Sequence, residues 1–203
     1  TYCRVMENIG HILANGYQGE LIARMTVHEQ VDIFQAVTHL SKNPEYSFSS
    51  IHWQIDGNFW NDYQLRRFRE WSETSYIPGL YRLADFWAEK MEKSGIVEKW
   101  YPFIDPVEDM LLGRSSRLRC GSGYENYTVL PNGKTSPCPI MVGMADYYLG
   151  DIETADPTHL PDIAVPGHCT TCDILDFCGG RCLYSAVMEP WPPEGRELVC
   201  ETV

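Results

Sequence analysis

Seven of the eight cysteines lie between Cys120 and Cys200, while Cys3 stands alone near the start. The seven run Cys120-x17-Cys138, then Cys169-x2-Cys172-x5-Cys178-x3-Cys182, then Cys200 after 17 more residues. So many thiols on uneven spacings need a joint explanation, and three compete. Disulfides belong to exported domains. The opening stretch, Thr1 to Asn8, lacks the basic start and apolar core of a signal peptide, and seven is an odd number. Zinc suits Cys169-x2-Cys172 as a tetrahedral half-site. However, seven sulfurs do not divide into two four-cysteine sites. Iron–sulfur clusters take thiolates from irregular loops, because the corners of a cubane point in different directions. A cluster on three cysteines leaves one iron open, so seven divides as four plus three.

Charge divides the chain at the same place. The net charge is −12, which argues against nucleic acid as the main ligand, because phosphate binding needs clustered Lys and Arg. From residue 120 onward, Lys134, Arg181 and Arg196 face twelve acidic residues, whereas the first 119 residues hold thirteen basic and sixteen acidic ones. Two regions follow, 1–113 and 114–203. Hydrophobic residues make up 44% of the chain, enough for a folded core, and the apolar runs are too short to span a bilayer. A cytoplasmic protein without a membrane partner is expected.

The first region reads as α/β. Val5, Ile9, Ile12 and Leu13 recur at helical spacing over 2–16, with Gly16 as the stop and Cys3 as a small apolar residue at the start. Residues 20–27 read as a strand, apolar on both faces and therefore covered on both. Thr26 to Glu29 has the capping-box pattern for an amphipathic helix through Ile33, Val37 and Leu40. A second strand spans 48–56, so a parallel strand–helix–strand unit is expected. Its residues Ser49, Ile51, Trp53 and Ile55 share one face; Ser50, His52, Gln54 and Asp56 share the other. In a barrel the polar set would look into the lumen. Arg24, mid-strand, reads as a buried guanidinium that needs a carboxylate, either an internal ion pair or a ligand. A helical pattern over 61–94 carries the apolar stripe Leu80, Leu83, Ala84, Trp87 and Met91 and stops at Gly95. Tyr101 to Pro106 reads as a linker with two prolines, followed by a short helix over 107–112.

In the second region, Asn132-Gly133 is a hairpin turn between Tyr127–Leu130 and Lys134–Ser136, which returns Cys138 towards Cys120. Gly179-Gly180 lets the chain bend closely between Cys178 and Cys182. His168 is a minor metal-ligand candidate, Asp173 and Asp176 read as solvated, and Glu189-Pro-Trp-Pro-Pro193 reads as a stiff spacer.

The seven cysteines, Gly133 at Cys120-x12-Gly-x4-Cys138, Pro131-Asn-Gly133, Cys138-Pro139 and Leu149-Gly150-Asp151-Ile152 together resemble the SPASM domain of radical SAM enzymes. Arg24-Met-Thr-Val and His52-Trp-Gln-Ile-Asp are similar to the archaeal-type peptide-modifying group among them. The resemblance implies the last part of a partial (β/α)6 barrel, followed by a small irregular α+β iron–sulfur domain with a β-hairpin. It implies two auxiliary 4Fe–4S clusters, an inner one on Cys120, Cys138 and Cys182 and an outer one on Cys169, Cys172, Cys178 and Cys200. It implies Arg24 as a contact for the carboxylate of S-adenosylmethionine (SAM). The implied activity is radical modification of a peptide or protein side chain, with an external electron donor such as a ferredoxin or flavodoxin.

Two departures bear on this. The Cys-x3-Cys-x2-Cys motif that binds the SAM-cleaving cluster is absent, because Ser185 stands where Cys178-x3-Cys182 would need a third cysteine. SAM and that third cluster are therefore expected only with further upstream sequence. In addition, Arg114 to Arg119 holds no cysteine to complete the inner set, and Pro139 replaces the aspartate of formylglycine-forming maturases. A non-catalytic electron-transfer module and a zinc-binding interaction domain remain the rival readings.

Overall fold

The computed structural model describes residues 2–156 and 158–203. Helix α1 (Tyr2–Ala14) leads into strand β1 (Ile22–Val27), helix α2 (Ile33–Ser41) and strand β2 (Ser50–Ile55). The two strands pair in parallel, Ile22 opposite Ser50 through Val27 opposite Ile55, as the strand–helix–strand reading expects. The helix starts later than the capping-box pattern suggests. Asp32 is the cap, accepting from the Gln35 N–H at 3.0 Å, while Thr26 and Val27 stay in β1. The strand's ladder bonds outweigh the local cap at Thr26.

One face of the strand pair is buried. Ala23, Val27, Ile51, Trp53 and Ile55 pack under the helices, with Met25 partly buried beside them. Ile22, Arg24, Thr26 and Gln54 are exposed on the opposite face, with His52 half-buried among them. The alternation on β2 is therefore as read, but β1 is not covered on both sides. Arg24 is exposed and forms no ion pair among the described residues, so the expected buried guanidinium is not found. The residues that flank it on its own face carry no acid. Cys3 is also exposed, not buried, because α1 buries Met6 alone.

A 3-10 turn at Tyr63–Leu65 precedes α3 (Phe68–Trp71), which runs through a π segment (Ser72–Tyr76) into α4 (Ile77–Ser94). Gly95, at φ +68°, ends α4 as expected, its N–H donating to the Met91 carbonyl at 2.8 Å. Of the α4 stripe, Leu83 and Trp87 are buried, while Ala84 is exposed. The expected linker at 101–106 is instead the start of helix α5 (Tyr101–Leu112). Pro102 sits in its first turn, where an N–H has no intrahelical acceptor, so only Pro106 removes a bond. Phe103, Ile104 and Val107 pack on the core, which offsets that loss.

The remainder is built from short pieces: β3 (Thr128–Val129), β4 (Thr135–Ser136), α6 (Leu175–Cys178), α7 (Leu183–Met188) and α8 (Pro193–Cys200). β3 and β4 form the expected antiparallel hairpin, with Gly133 at φ +81° in its turn. Leu118, Met141 and Leu183 form a separate small core, with Tyr124, Ile140 and Ile163 packed against it. The architecture is mixed α/β with a small sheet. The larger core reaches across both regions, taking in Trp191, Leu198 and Val199 beside Phe68, Trp71 and Trp100. Trp191 is 1% exposed, so Glu189 to Pro193 plugs the core rather than acting as a spacer. No helix among the described residues is long and apolar enough to cross a membrane.

Candidate metal centre

All eight cysteines are free thiols. Each of the seven sits at the end of a short element or in a turn. Cys120 lies in the turn closed by the Gly121 N–H on the Leu118 carbonyl, at 2.6 Å. Cys138 follows β4 and caps the 3-10 turn Pro139–Met141. Cys182 caps α7. Cys169 lies in the 3-10 turn Gly167–Thr171, and Cys172 ends it. Cys178 closes α6 and Cys200 closes α8. Element ends place side chains in different directions, which one regular helix or strand cannot do.

Cys138, Cys169 and Cys200 are held above the ordinary cysteine range. Burial pushes the Cys138 thiol up; the Ile140 N–H opposes this, and Cys182 and Cys120 reinforce it. Burial pushes Cys169 up to about 11, and Cys200, Cys178 and Cys172 push the same way. Cys200 is raised first by burial, then by Cys178 and Cys172, and is pulled back by Arg181 and Arg196. Cys138, Cys169, Cys178 and Cys182 are half-buried, whereas Cys120, Cys172 and Cys200 are exposed.

The donor set bears on which metal fits. Zinc holds four ligands around one ion, each sulfur about 2.3 Å away. Among the described residues, no three His, Cys, Asp or Glu side chains converge closely enough to share one ion. A cubane asks for thiolates spread around it, each on its own iron. The seven cysteines come from separate short elements and turns. His168 is exposed, with its ring 3.7 Å from the Cys169 sulfur and 3.6 Å from Glu189, while Asp173 and Asp176 are exposed as expected.

Glycines allow the close packing. Gly179, at φ +72°, lies against the 117–118 backbone, where an added Cβ would stand 2.9 Å from the Arg117 carbonyl carbon. Its own carbonyl accepts from the Leu118 N–H at 2.8 Å. This contact brings Cys178 and Cys182 alongside the segment that leads to Cys120.

The cysteine-bearing segment meets the carboxyl end of β2 through Arg181, Ser185 and Trp191, at the end where parallel α/β proteins bind ligands. Arg181 donates to the Ile55 and Gly57 carbonyls at 3.2 and 3.0 Å. Ser185 donates to the Asn58 carbonyl at 2.7 Å, and the Trp191 ring N–H donates to Asp62 at 2.8 Å. Arg66 ties the ends of both strands, reaching Glu29 at 2.5 Å, Asp62 at 3.0 Å and the Asp56 carbonyl at 2.6 Å. Among the described residues, the non-glycine residues in left-handed backbone are Asn58, Arg181 and Glu189, and all three lie at or beside this junction. Such conformations persist where the surroundings over-determine them.

The sequence reading gave none of Asn58, Arg66, Arg181 and Ser185 a role at this junction. Only Arg181 leaves a local signal, as the one basic residue between Cys169 and Cys182. Arg24 lies opposite His52 in the strand register, away from the thiols along β1. Burial and then the Arg24 charge hold the His52 pKa below that of a free imidazole. No family model, curated protein or solved structure matches the chain.

Proposed function

We propose that this chain is the cluster-bearing part of a radical SAM enzyme that modifies a peptide or protein side chain. The observation that carries this reading is the placement of seven free cysteines at the ends and turns of short elements, in a segment whose Arg181 and Ser185 hold the loop after β2. In this reading, Cys120, Cys138 and Cys182 hold an inner 4Fe–4S cluster with one open iron, and Cys169, Cys172, Cys178 and Cys200 hold an outer one. Bound SAM and a third cluster supply the 5′-deoxyadenosyl radical that takes a hydrogen atom from the substrate. The sequence has no Cys-x3-Cys-x2-Cys for that third cluster, so its ligands lie outside these 203 residues.

This chain's own residues bind and orient. Arg24, exposed on the polar strand face, offers a guanidinium to the SAM carboxylate, a match Arg makes in bidentate fashion. Thr26, His52 and Gln54 share that face and line the approach to it. The cysteine sets relay an electron or anchor the substrate at the strand ends, where Arg66 and Arg181 fix the loops. The partners are a peptide or protein substrate and an external electron donor such as a ferredoxin or flavodoxin, in the cytoplasm, with neither nucleic acid nor membrane.

The test is anaerobic loading of the chain with iron and sulfide, followed by iron and zinc analysis and a visible spectrum. About eight irons per chain with broad cluster absorbance is the expected result. A colourless protein with one or two zincs overturns it. SAM cleavage by a protein that joins this chain to a Cys-x3-Cys-x2-Cys segment separates the enzyme from a non-catalytic electron carrier.

A further inference from the structure

A cavity of about 570 Å³ opens where the two regions meet, between the turn that carries Asp62, Tyr63 and Leu65 and the segment that carries Glu189, Pro192 and Arg196. That volume falls in the range of ligand sites. Its walls are fixed. Trp191 donates its ring N–H to Asp62 at 2.8 Å and its backbone N–H to the Asn58 side chain at 3.1 Å. Gly195 presses on the Tyr63 ring, where an added Cβ would stand 2.8 Å from a ring carbon. The two walls therefore hold their spacing, and a preformed site loses little entropy when it is filled.

The lining combines apolar surface with charge. Pro190, Pro192 and Pro193 offer no N–H, so no backbone donor of theirs is left unpaired when another chain lies on them. Tyr63 and Leu65 supply apolar surface from the first region, and Leu65 is 87% exposed. Of the charged groups, Asp62 is balanced by Arg66 at 3.0 Å. Arg196 pairs with Glu189 alone among the described residues, at 2.7 Å, and its Nε–H makes no hydrogen bond. It keeps guanidinium donors for a carbonyl acceptor. Glu189 is the most exposed of the three lining charges, and Glu194 and Glu197 are exposed on α8 beside it in sequence. The outer field is negative, which draws a cation.

An extended peptide answers each of these features. Its apolar side chains suit the prolines, Tyr63 and Leu65; a backbone carbonyl suits Arg196; a Lys or Arg suits Glu189. Aromatic-lined grooves recognise extended chains in this manner. We propose that this cleft docks an extended peptide segment carrying apolar residues and at least one Lys or Arg. Docking here needs no metal and is independent of the cluster reading above.

The test is fluorescence anisotropy with the full chain and no added metal. The probes are three fluorescein-labelled seven-residue peptides: one alternating leucine, proline and arginine, one with glutamate for arginine, and one with serine for leucine. Wild type is expected to bind the first about tenfold more tightly than the others. Leu65→Ser is expected to weaken that binding about tenfold, the scale of one buried leucine. Glu189→Gln is expected to weaken it about threefold, the scale of one rim ion pair. Leu111→Ser, which changes an exposed leucine on α5 outside the cavity, is expected to bind as wild type. Both leucines are exposed, so neither change disturbs the core. A wild type that binds none of the peptides, or binds the glutamate peptide as tightly, overturns the proposal. Equal weakening by Leu65→Ser and Leu111→Ser also overturns it, because it marks adsorption to any exposed leucine. Light scattering separates the other occupant: a wild-type dimer that Leu65→Ser turns into a monomer makes the cleft an interface between copies and overturns peptide docking. A chain that binds the peptide but takes up no iron loses the cluster reading alone.

Discussion

The backbone N–H of Trp191 donates to the side-chain oxygen of Asn58 at 3.1 Å, joining positions 133 residues apart. Asn58 is 4% exposed and holds a left-handed φ of +61°, which few side chains accept. The Trp191 ring lies 5.2 Å from the Tyr63 ring and 5.1 Å from the Phe68 ring. Trp191→Ala is expected to cost about 3–5 kcal/mol, the range for emptying a buried aromatic site. Asn58→Gly keeps the backbone but leaves the Trp191 N–H without its acceptor, a loss of about 1–3 kcal/mol. Urea unfolding of both variants checks this, and two unchanged midpoints would contradict the packing described.

Gly179 and Gly95 separate two kinds of glycine. Both are left-handed, but a Cβ at Gly95 meets open space, while one at Gly179 meets the Arg117 and Leu118 backbone at 2.9 to 3.0 Å. Gly95→Ala is expected to cost about 1 kcal/mol, from conformation alone. Gly179→Ala adds a backbone clash and is expected to cost more, with weaker retention of iron. Denaturation midpoints and iron content of the two variants, measured side by side, provide the check.

The strand face has a pH signature. Burial and then Arg24 hold His52 below the free-imidazole pKa, so the unfolded chain takes up this proton first as the pH falls. The stability from His52 is complete above about pH 6.5 and is lost as the pH drops from there through the folded-state pKa. His52→Gln is expected to flatten this part of the stability–pH curve. Arg24→Gln is expected to raise the His52 pKa, followed by NMR of the imidazole protons. An unmoved His52 titration would separate the two side chains.

The thiol sets predict a stepwise loss of iron. On the cluster reading proposed above, Cys182→Ala and Cys172→Ala are each expected to reduce iron from about eight to about four per chain, because each would remove a ligand from a different four-iron site. The double variant is expected to hold none, and Cys3→Ala to hold the full amount. Iron analysis after desalting distinguishes these outcomes from a single shared site, where either change would empty the protein.

Local pattern was enough where local chemistry decides. The alternation of Ile51, Trp53 and Ile55 shows which face of β2 is buried, Gly95 marks the end of α4, and Asn132-Gly133 marks the hairpin. Other features depend on partners far away in sequence. Tyr101 to Pro106 became helix because Phe103 and Ile104 have a core to enter, which no window around two prolines reveals. Thr26 has the sequence of a cap but belongs to a strand paired with Gln54. Arg24 reads as buried because β1 is apolar, yet its face of the sheet is open. Arg181 and Trp191 matter through contacts with the loop after β2, more than a hundred positions earlier.

Because Trp191, Leu198 and Val199 complete the core that Trp53 and Trp87 begin, the cysteine-bearing half is not a portable cassette. Moved onto another scaffold without the 55–62 loop, it would carry an exposed tryptophan and an arginine with no carbonyls to hold it. A change in that loop and a change beside Cys182 are therefore expected to be inherited together, with each tolerated best in the presence of the other.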